Sequence, residues 1–438
     1  MATLKGVADL LNCGLTLLYS MVNLIKKKKS SRIITLVYAL IGKSLFPLFS
    51  SFKLKAYNNY LFVVLILGGA ASGCKKPYTP VIINNDNSYM VVEGVINSGN
   101  DSTIISLSKT VKLADSTKAN PVNGYTVTVE AENGSEAYKL KPLSTGKYAI
   151  GPMMLNAAQK YRLHILAPEG KEYATDYLEV LNNPPIDSLS FAAKSSSLEI
   201  YASTHDPANK IKYYRWDYEE DWEFHAKSYI KYIVDTDTLR LRKPAEQIYY
   251  CFSHDKSRDI ALGSTLKLNE AVISKALVAS IPSTSEKIGT EYSILVKQYP
   301  LDKGAYEFWS NLQKNTEKLG SIFDAQPSIL KGNIKCIGNP DEPVIGYITI
   351  SNTQVKRFFI YKIQLPVDWY PDYPYSCGIS KAYFSAPVTG YNDVLHFIIE
   401  GNGQYLPTEF TGDGYFYTTP PCGDCSVRGK LTPPPFWK

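Results

Sequence analysis

From Ser88 onward the chain is organised by alternation of apolar and polar positions. Residues 89–96 and 103–110 read as strands. In 125–129, Val127 and Val129 share one face while Thr126 and Thr128 share the other, the period of two that a half-buried strand requires. Asn133-Gly134 is a strong hairpin signal. Residues 146–150 and 161–165 follow, Glu169-Gly170 turns the chain, and 172–180 reads as a last strand. Roughly seven short strands at regular spacing predict a β-sandwich over 88–182.

Asn183-Pro184-Pro185 is the expected domain boundary, because a double proline cannot continue a ladder. Beyond it, 186–438 reads as a second β-rich domain, with strand-like runs at 186–191, 198–203, 212–218, 248–252, 292–299 and 344–350. Trp216 and Tyr218 are expected on the face opposite Asp217. One helix interrupts the β pattern at about 303–319. Asp302 is its expected N-cap and Gly320 its terminating glycine. Ala305, Trp309, Leu312, Thr316 and Leu319 form its inward stripe, so Trp309 is assigned to core packing. The tail holds Pro433-Pro434-Pro435-Phe436-Trp437 and should lie extended across the surface. The fold class is therefore mainly β: two β-sandwich-like domains, the second with an inserted helix.

The segment before Ser88 has another character. Lys53 and Lys55 precede an apolar run, 60–71, which ends in Ala71-Ser72-Gly73-Cys74. Twelve residues, 60–71, are too few to cross a bilayer that needs ~20. The layout is that of a secretory signal, and its end resembles a bacterial lipobox. Cys74 is the expected lipidated residue, residues 1–73 the leader, and 74–87 a proline-stiffened tether. Residues 1–52 read as the result of a start codon placed too far upstream, with a second anchor as the alternative. Composition changes accordingly. The net charge of +6 resides in the leader; without residues 1–73 the chain carries 38 basic and 40 acidic residues. A basic balance for nucleic acid is thereby removed.

The candidate chemistry is sparse. Apart from Cys13 and Cys74, five cysteines remain, so an oxidising compartment allows two disulfides and leaves one thiol. Cys422-x-x-Cys425 lacks the second ligand pair of a zinc site and the βαβ setting of a thioredoxin-like site. A structural disulfide is expected, either within that pair or from one member to Cys377. His164, His205, His225, His254 and His396 show no metal-ligand spacing. The run Glu219-Glu220-Asp221 beside Trp222 is read as a solvated loop, with a glycan or cation site as the sharper alternative. The sequence contains no Gly-x-Ser-x-Gly elbow, P-loop or dinucleotide fingerprint. No catalytic residue, metal ligand or cofactor is assigned, and the chain is not read as an enzyme.

Several stretches together resemble one family. They are 89–94, 184–188, 292–299, 305–309, 320–327, 332–334, Cys422-Gly423-Asp424-Cys425 and Phe436-Trp437. They are similar to the outer-membrane lipoproteins of Bacteroidota catalogued as domain of unknown function 4249. The resemblance implies a protein anchored to outer-membrane lipid through Cys74, in a leaflet the sequence does not define. Its implied partner is a TonB-dependent nutrient transporter. Residues 88–180 are also similar to the transthyretin-like regulatory sandwich of carboxypeptidases, through Val122-x-Gly124-x-x-Val127 and Gly146-x-Tyr148. The expected role is an accessory ligand-binding protein. A structural or adhesive surface protein is the alternative, and a hydrolase the third reading. Aromatics around one concave pocket would favour the first, a flat exposed sheet edge the second, and convergent polar groups with shifted pKa the third.

Overall fold

The computed structural model of the protein describes residues 88–111, 120–268, 270–317, 332–373 and 375–437. Cys74, the leader, the tether and Gly320 lie outside the described residues. The architecture is mainly β, as the alternation predicts.

The strands before the double proline are β1 (Met90–Asn97), β2 (Thr103–Lys109), β3 (Asn120–Pro121), β4 (Thr126–Ala131), β5 (Ala137–Ser144), β6 (Lys147–Ile150), β7 (Lys160–Leu166), β8 (Glu172–Thr175) and β9 (Leu178–Leu181). The run 172–180, expected as one strand, breaks at Asp176-Tyr177 into β8 and β9. After the prolines come β10 (Ile186–Ala193), β11 (Ser197–His205), β12 (Tyr213–His225), β13 (Tyr232–Asp235), β14 (Thr238–Leu241), β15 (Tyr250–Lys256), β16 (Ala261–Ser264), β17 (Val272–Pro282) and β18 (Glu291–Leu301). Helix α1 (Lys303–Glu317) follows. Then come β19 (Ile334–Ile337), β20 (Val344–Ile345), β21 (Ile350–Ser351) and β22 (Gln354–Tyr361). A last group, β23 (Ser380–Tyr383), β24 (Leu406–Phe410) and β25 (Gly414–Thr418), precedes the short α2 (Pro420–Gly423).

The first sheet is a closed barrel where a sandwich was expected. Its pairing runs β7-β4-β5-β6-β2-β1, and β9 pairs back onto β7. The gap between β1 and β9 is filled by β21, which runs parallel to both: Ile350 pairs with Ile96 and with Val180. Residues 334–351, expected with the second domain, thus complete the first; β19 pairs β8 and β20 pairs β1. A local pattern cannot disclose a strand returned from so far along the chain. The inward positions, among them Val92, Ile105, Val127, Leu163 and Ile350, form one continuous core that fills the barrel. Gly346 is required here. Its φ is +135°, and a Cβ would stand 2.0 Å from the Val92 carbonyl oxygen.

Two sheets form the second region. One is β10-β11-β17; the other is β15-β12-β18-β22, with β16 also on β12. They share one core containing Leu198, Ile200, Trp216, Phe224, Ile281 and Ile294, the layout of a sandwich. Sheet β23-β25-β24 and hairpin β13-β14 pack around Ala382, Val394 and Ile398 as an annex. Two disulfides tie the C-terminal segment down: Cys251–Cys425 and Cys377–Cys422.

Candidate functional site

β12 organises the site. It is thirteen residues long and pairs along most of its length with β18. Its even-numbered side chains point into the sandwich; Tyr214 and Trp216 are fully buried. Its odd-numbered side chains, Arg215, Asp217, Glu219, Asp221 and Glu223, lie on the outer face. Asp217 therefore falls opposite Trp216, as the period predicts.

The acidic run Glu219-Glu220-Asp221 is mid-strand, not a loop. Each carboxylate there has a cationic partner from another strand or turn. Glu219 Oε1 accepts from Lys297 at 2.8 Å and lies 3.1 Å from Lys256. Glu220, buried, pairs with Lys287 and accepts from Tyr292 Oη at 2.9 Å. Asp221, also buried, meets His254 Nδ1 at 2.8 Å and Arg357 at 3.1 Å. Partners of this kind make charged residues compatible with a central strand.

One half of the outer face is covered by the tail. The Cys425 disulfide sets its start, Lys430 bridges Phe252, and Trp437 packs edge-on against Phe252 and Phe359. Arg357 stacks on Phe436, with Cζ 3.5 Å from the ring centre. The extended tail expected across the surface is thus a cover for this sheet.

The other half is open and forms a cleft of ≈ 570 Å³ against the outside of barrel strand β1 and one side of α1. That volume lies within the ~300–1,000 Å³ typical of small-ligand sites. Helix α1 begins at Asp302, whose carboxylate accepts from Ala305 N at 2.7 Å and from Tyr347 Oη at 3.0 Å. Its stripe is turned so that Ala305 and Phe308 are buried and Trp309 is only half-buried. Trp309, assigned to core packing from sequence, stands in the cleft wall. Arg215 lies between two rings, its Cζ 4.1 Å from Trp309 and 4.8 Å from Tyr299. The same guanidinium donates from Nη2 to Asp217 Oδ2 at 2.9 Å.

A buried polar network lies at the junction of barrel and sandwich. Trp216 Nε1 donates to Gln298 Oε1 at 2.9 Å, and Gln298 Nε2 donates to the Pro184 carbonyl at 2.8 Å. Asn183 Nδ2 donates to the Gln298 carbonyl at 2.6 Å and to that of Asn352 at 3.1 Å. The expected boundary at 183–185 therefore sits inside a hydrogen-bonded joint, with Asn183 and Pro184 buried.

The electrostatics of the cleft favour fixed charges over proton transfer. Burial, helped by Asp217, pushes Tyr299 up to about 12. On the inner face of the sheet, burial helped by Glu220 pushes Tyr218 up to about 12 as well. Burial and Asp302 raise Tyr347. Burial acts to raise Glu219, but the hydrogen bonds from Lys297 and Lys256 outweigh it and hold the carboxyl below its ordinary range. Every one of these shifts carries its group further from a neutral-pH titration, which suits recognition by hydrogen bonds.

Among the residues singled out by sequence, Cys377 and Cys422 are brought together, while Cys425 pairs with Cys251, which sequence gave no role. Among the described residues, Cys336 is the free thiol, and it is buried. His164 lies between Glu130 and Glu172, and His205 pairs with Asp187. Among the described residues no hydrogen bond links these imidazoles to a serine hydroxyl, and no three His, Cys, Asp or Glu converge as metal ligands. No described helix is long and apolar enough to cross a membrane. Sequence reading missed Arg215 and Tyr299. The available signal was their alternation with the buried neighbours Tyr214, Trp216 and Gln298, which puts both on the outer face.

A family model described as Domain of unknown function (DUF4249) matches residues 75–357. No curated protein matches the chain.

Proposed function

The chain belongs to the family Domain of unknown function (DUF4249), and from that premise we propose that it is a lipid-anchored binding protein of the outer membrane, accessory to a TonB-dependent nutrient transporter. The observation that carries the binding role is the open cleft, with half-buried Tyr299, Trp309 and Tyr347 in its walls. It is built on strands and a helix, and Arg215, Lys256 and Lys297 in its wall are already held by Asp217 and Glu219, so little reorganisation of these groups opposes binding. Anchoring rests on the Ala71-Ser72-Gly73-Cys74 pattern. The adhesive alternative would use a free strand edge. The free edge of β17 suits that poorly, because the register slips twice against β11 and Lys275 takes a left-handed φ of 55°.

The test is copurification from intact outer membranes with a tagged copy, beside a Cys74→Ala variant. The expected result is a TonB-dependent transporter in the wild-type eluate and release of the variant, or its retention as an uncleaved precursor. A Cys74→Ala chain that fractionates with membranes at the mature size contradicts the anchor. A wild-type eluate without a transporter contradicts the partner.

A further inference from the structure

We infer that the ligand of the cleft is a neutral saccharide. This rests on the binding role proposed above and adds the chemical class. Arg215 supplies the first observation. The residue is 8% exposed, its only hydrogen bond within the described protein goes to Asp217, and its Nε meets no acceptor. Nε is itself enclosed, but the guanidinium lines the cleft with a single bond from Nη2, so its remaining edge can donate to an acceptor oxygen there.

Charge then narrows that acceptor. Four basic and five acidic side chains line the cleft. Lys256 and Lys297 are both taken up by Glu219, and Arg215 by Asp217. Glu93, Asp101 and Asp259 line the cleft without an ion-pair partner among the described residues. A carboxylate or phosphate would meet this acidic excess. A cation would find the seat between Tyr299 and Trp309 already filled by Arg215. An apolar molecule would bury the ion pairs without replacing their water.

A hydroxylated neutral ligand meets none of these obstacles. Adjacent hydroxyls can accept from Arg215 and donate to Asp217, which stand side by side. The C–H faces of a sugar ring can lie against the aromatic walls. Strand β1 opposite contributes Val91, Gly94 and Val95, a low relief against which an extended chain can lie.

The test is isothermal titration of the detergent-solubilised full chain. The probes are xylo-, gluco- and manno-oligosaccharides, oligogalacturonates of matched length, and a trilysine peptide. A neutral oligosaccharide should bind with an affinity unchanged by added salt. Asp217→Asn keeps the side-chain shape at a partly exposed position. It should weaken binding about tenfold, equivalent to ~1.4 kcal/mol, and Trp309→Ala should weaken it at least as much. Oligogalacturonate binding that strengthens in Asp217→Asn overturns the neutral class but leaves the cleft as a binding site, and so does preference for trilysine. Neutral binding untouched by both substitutions overturns the cleft, and the binding role with it. If no neutral probe binds, the saccharide class is wrong, while transporter copurification still judges the earlier proposal.

Discussion

The outer face of the five-stranded sheet has two halves that share one strand and differ in how they are finished. Around Asp221 and Glu223 the tail lies over the sheet, fixed by the Cys251–Cys425 disulfide and by Phe436 and Trp437. Around Arg215, Asp217 and Glu219 the sheet faces a cleft. The two halves have the same alternation and similar charge, so strand pattern did not choose between them. The difference lies in what the chain brings from a distance: a stapled tail on one side, and the barrel with α1 on the other. A polar sheet face left open by such construction is the surface on which the proposed binding role rests.

The largest expected effect is on the covered half. Cys425→Ser removes the staple and should cost about 2–5 kcal/mol. Urea denaturation should show it, together with a red shift of Trp437 emission. If stability is unchanged, the disulfide is not what holds the cover. A cleft function independent of the tail predicts unchanged ligand affinity in the folded variant.

Next comes the joint between barrel and sandwich. Gln298→Ala strands the buried Trp216 Nε1 and one Asn183 contact, and each orphaned group costs ~1–3 kcal/mol. Stability should fall, with faster amide exchange in residues 183–185. Exchange confined to the distant annex would show that the joint is elsewhere. A smaller effect is expected from Asp302→Ala, which removes the α1 cap and the Tyr347 contact; a lost cap typically costs ~1 kcal/mol. The thermal midpoint measures it, and no change would mean that packing alone fixes the helix.

The subtlest contrast is in pH. Glu219 and Glu223 lie four residues apart on the same face, yet their shifts are opposite. Glu219 is held below its ordinary value against the effect of burial by Lys297 and Lys256. Its contribution is present above the ordinary glutamate pKa and is lost as pH falls through its lowered folded value. Glu223 is raised by burial and by Glu291, its cross-strand neighbour. Its contribution is full below the ordinary value and is lost as pH rises through its folded value. Glu223→Gln should therefore stabilise at neutral pH, and Glu219→Gln should flatten the acid limb. Stability curves of the two variants that change in the same sense would break the comparison.

Much of this architecture was legible locally. Val127 and Val129 are inward, Asn133-Gly134 makes the β4–β5 turn, Trp216 opposes Asp217, and Asp302 caps α1. What was not legible depends on partners remote in sequence. The barrel closes through Ile350 and Ser351; the pattern marked a strand-like run at 344–350 but not that it splits into β20 and β21 or that it pairs with β1 and β9. The acidic run looked like a loop because its lysine and arginine partners lie on other strands and turns. Trp309 looked like core because a helical stripe shows which residues share a face, not what that face meets. Arg215 drew no notice because a lone arginine on a strand has no motif.

Hydroxyl-radical footprinting of the full chain, with and without a neutral oligosaccharide mixture, is the sharpest test of the cleft as the binding site. The two halves of the sheet then serve as site and internal control. Protection is expected at Tyr299 and Trp309, with Phe436 and Trp437 unchanged. Protection at Phe436 and Trp437 with none in the cleft would contradict that assignment.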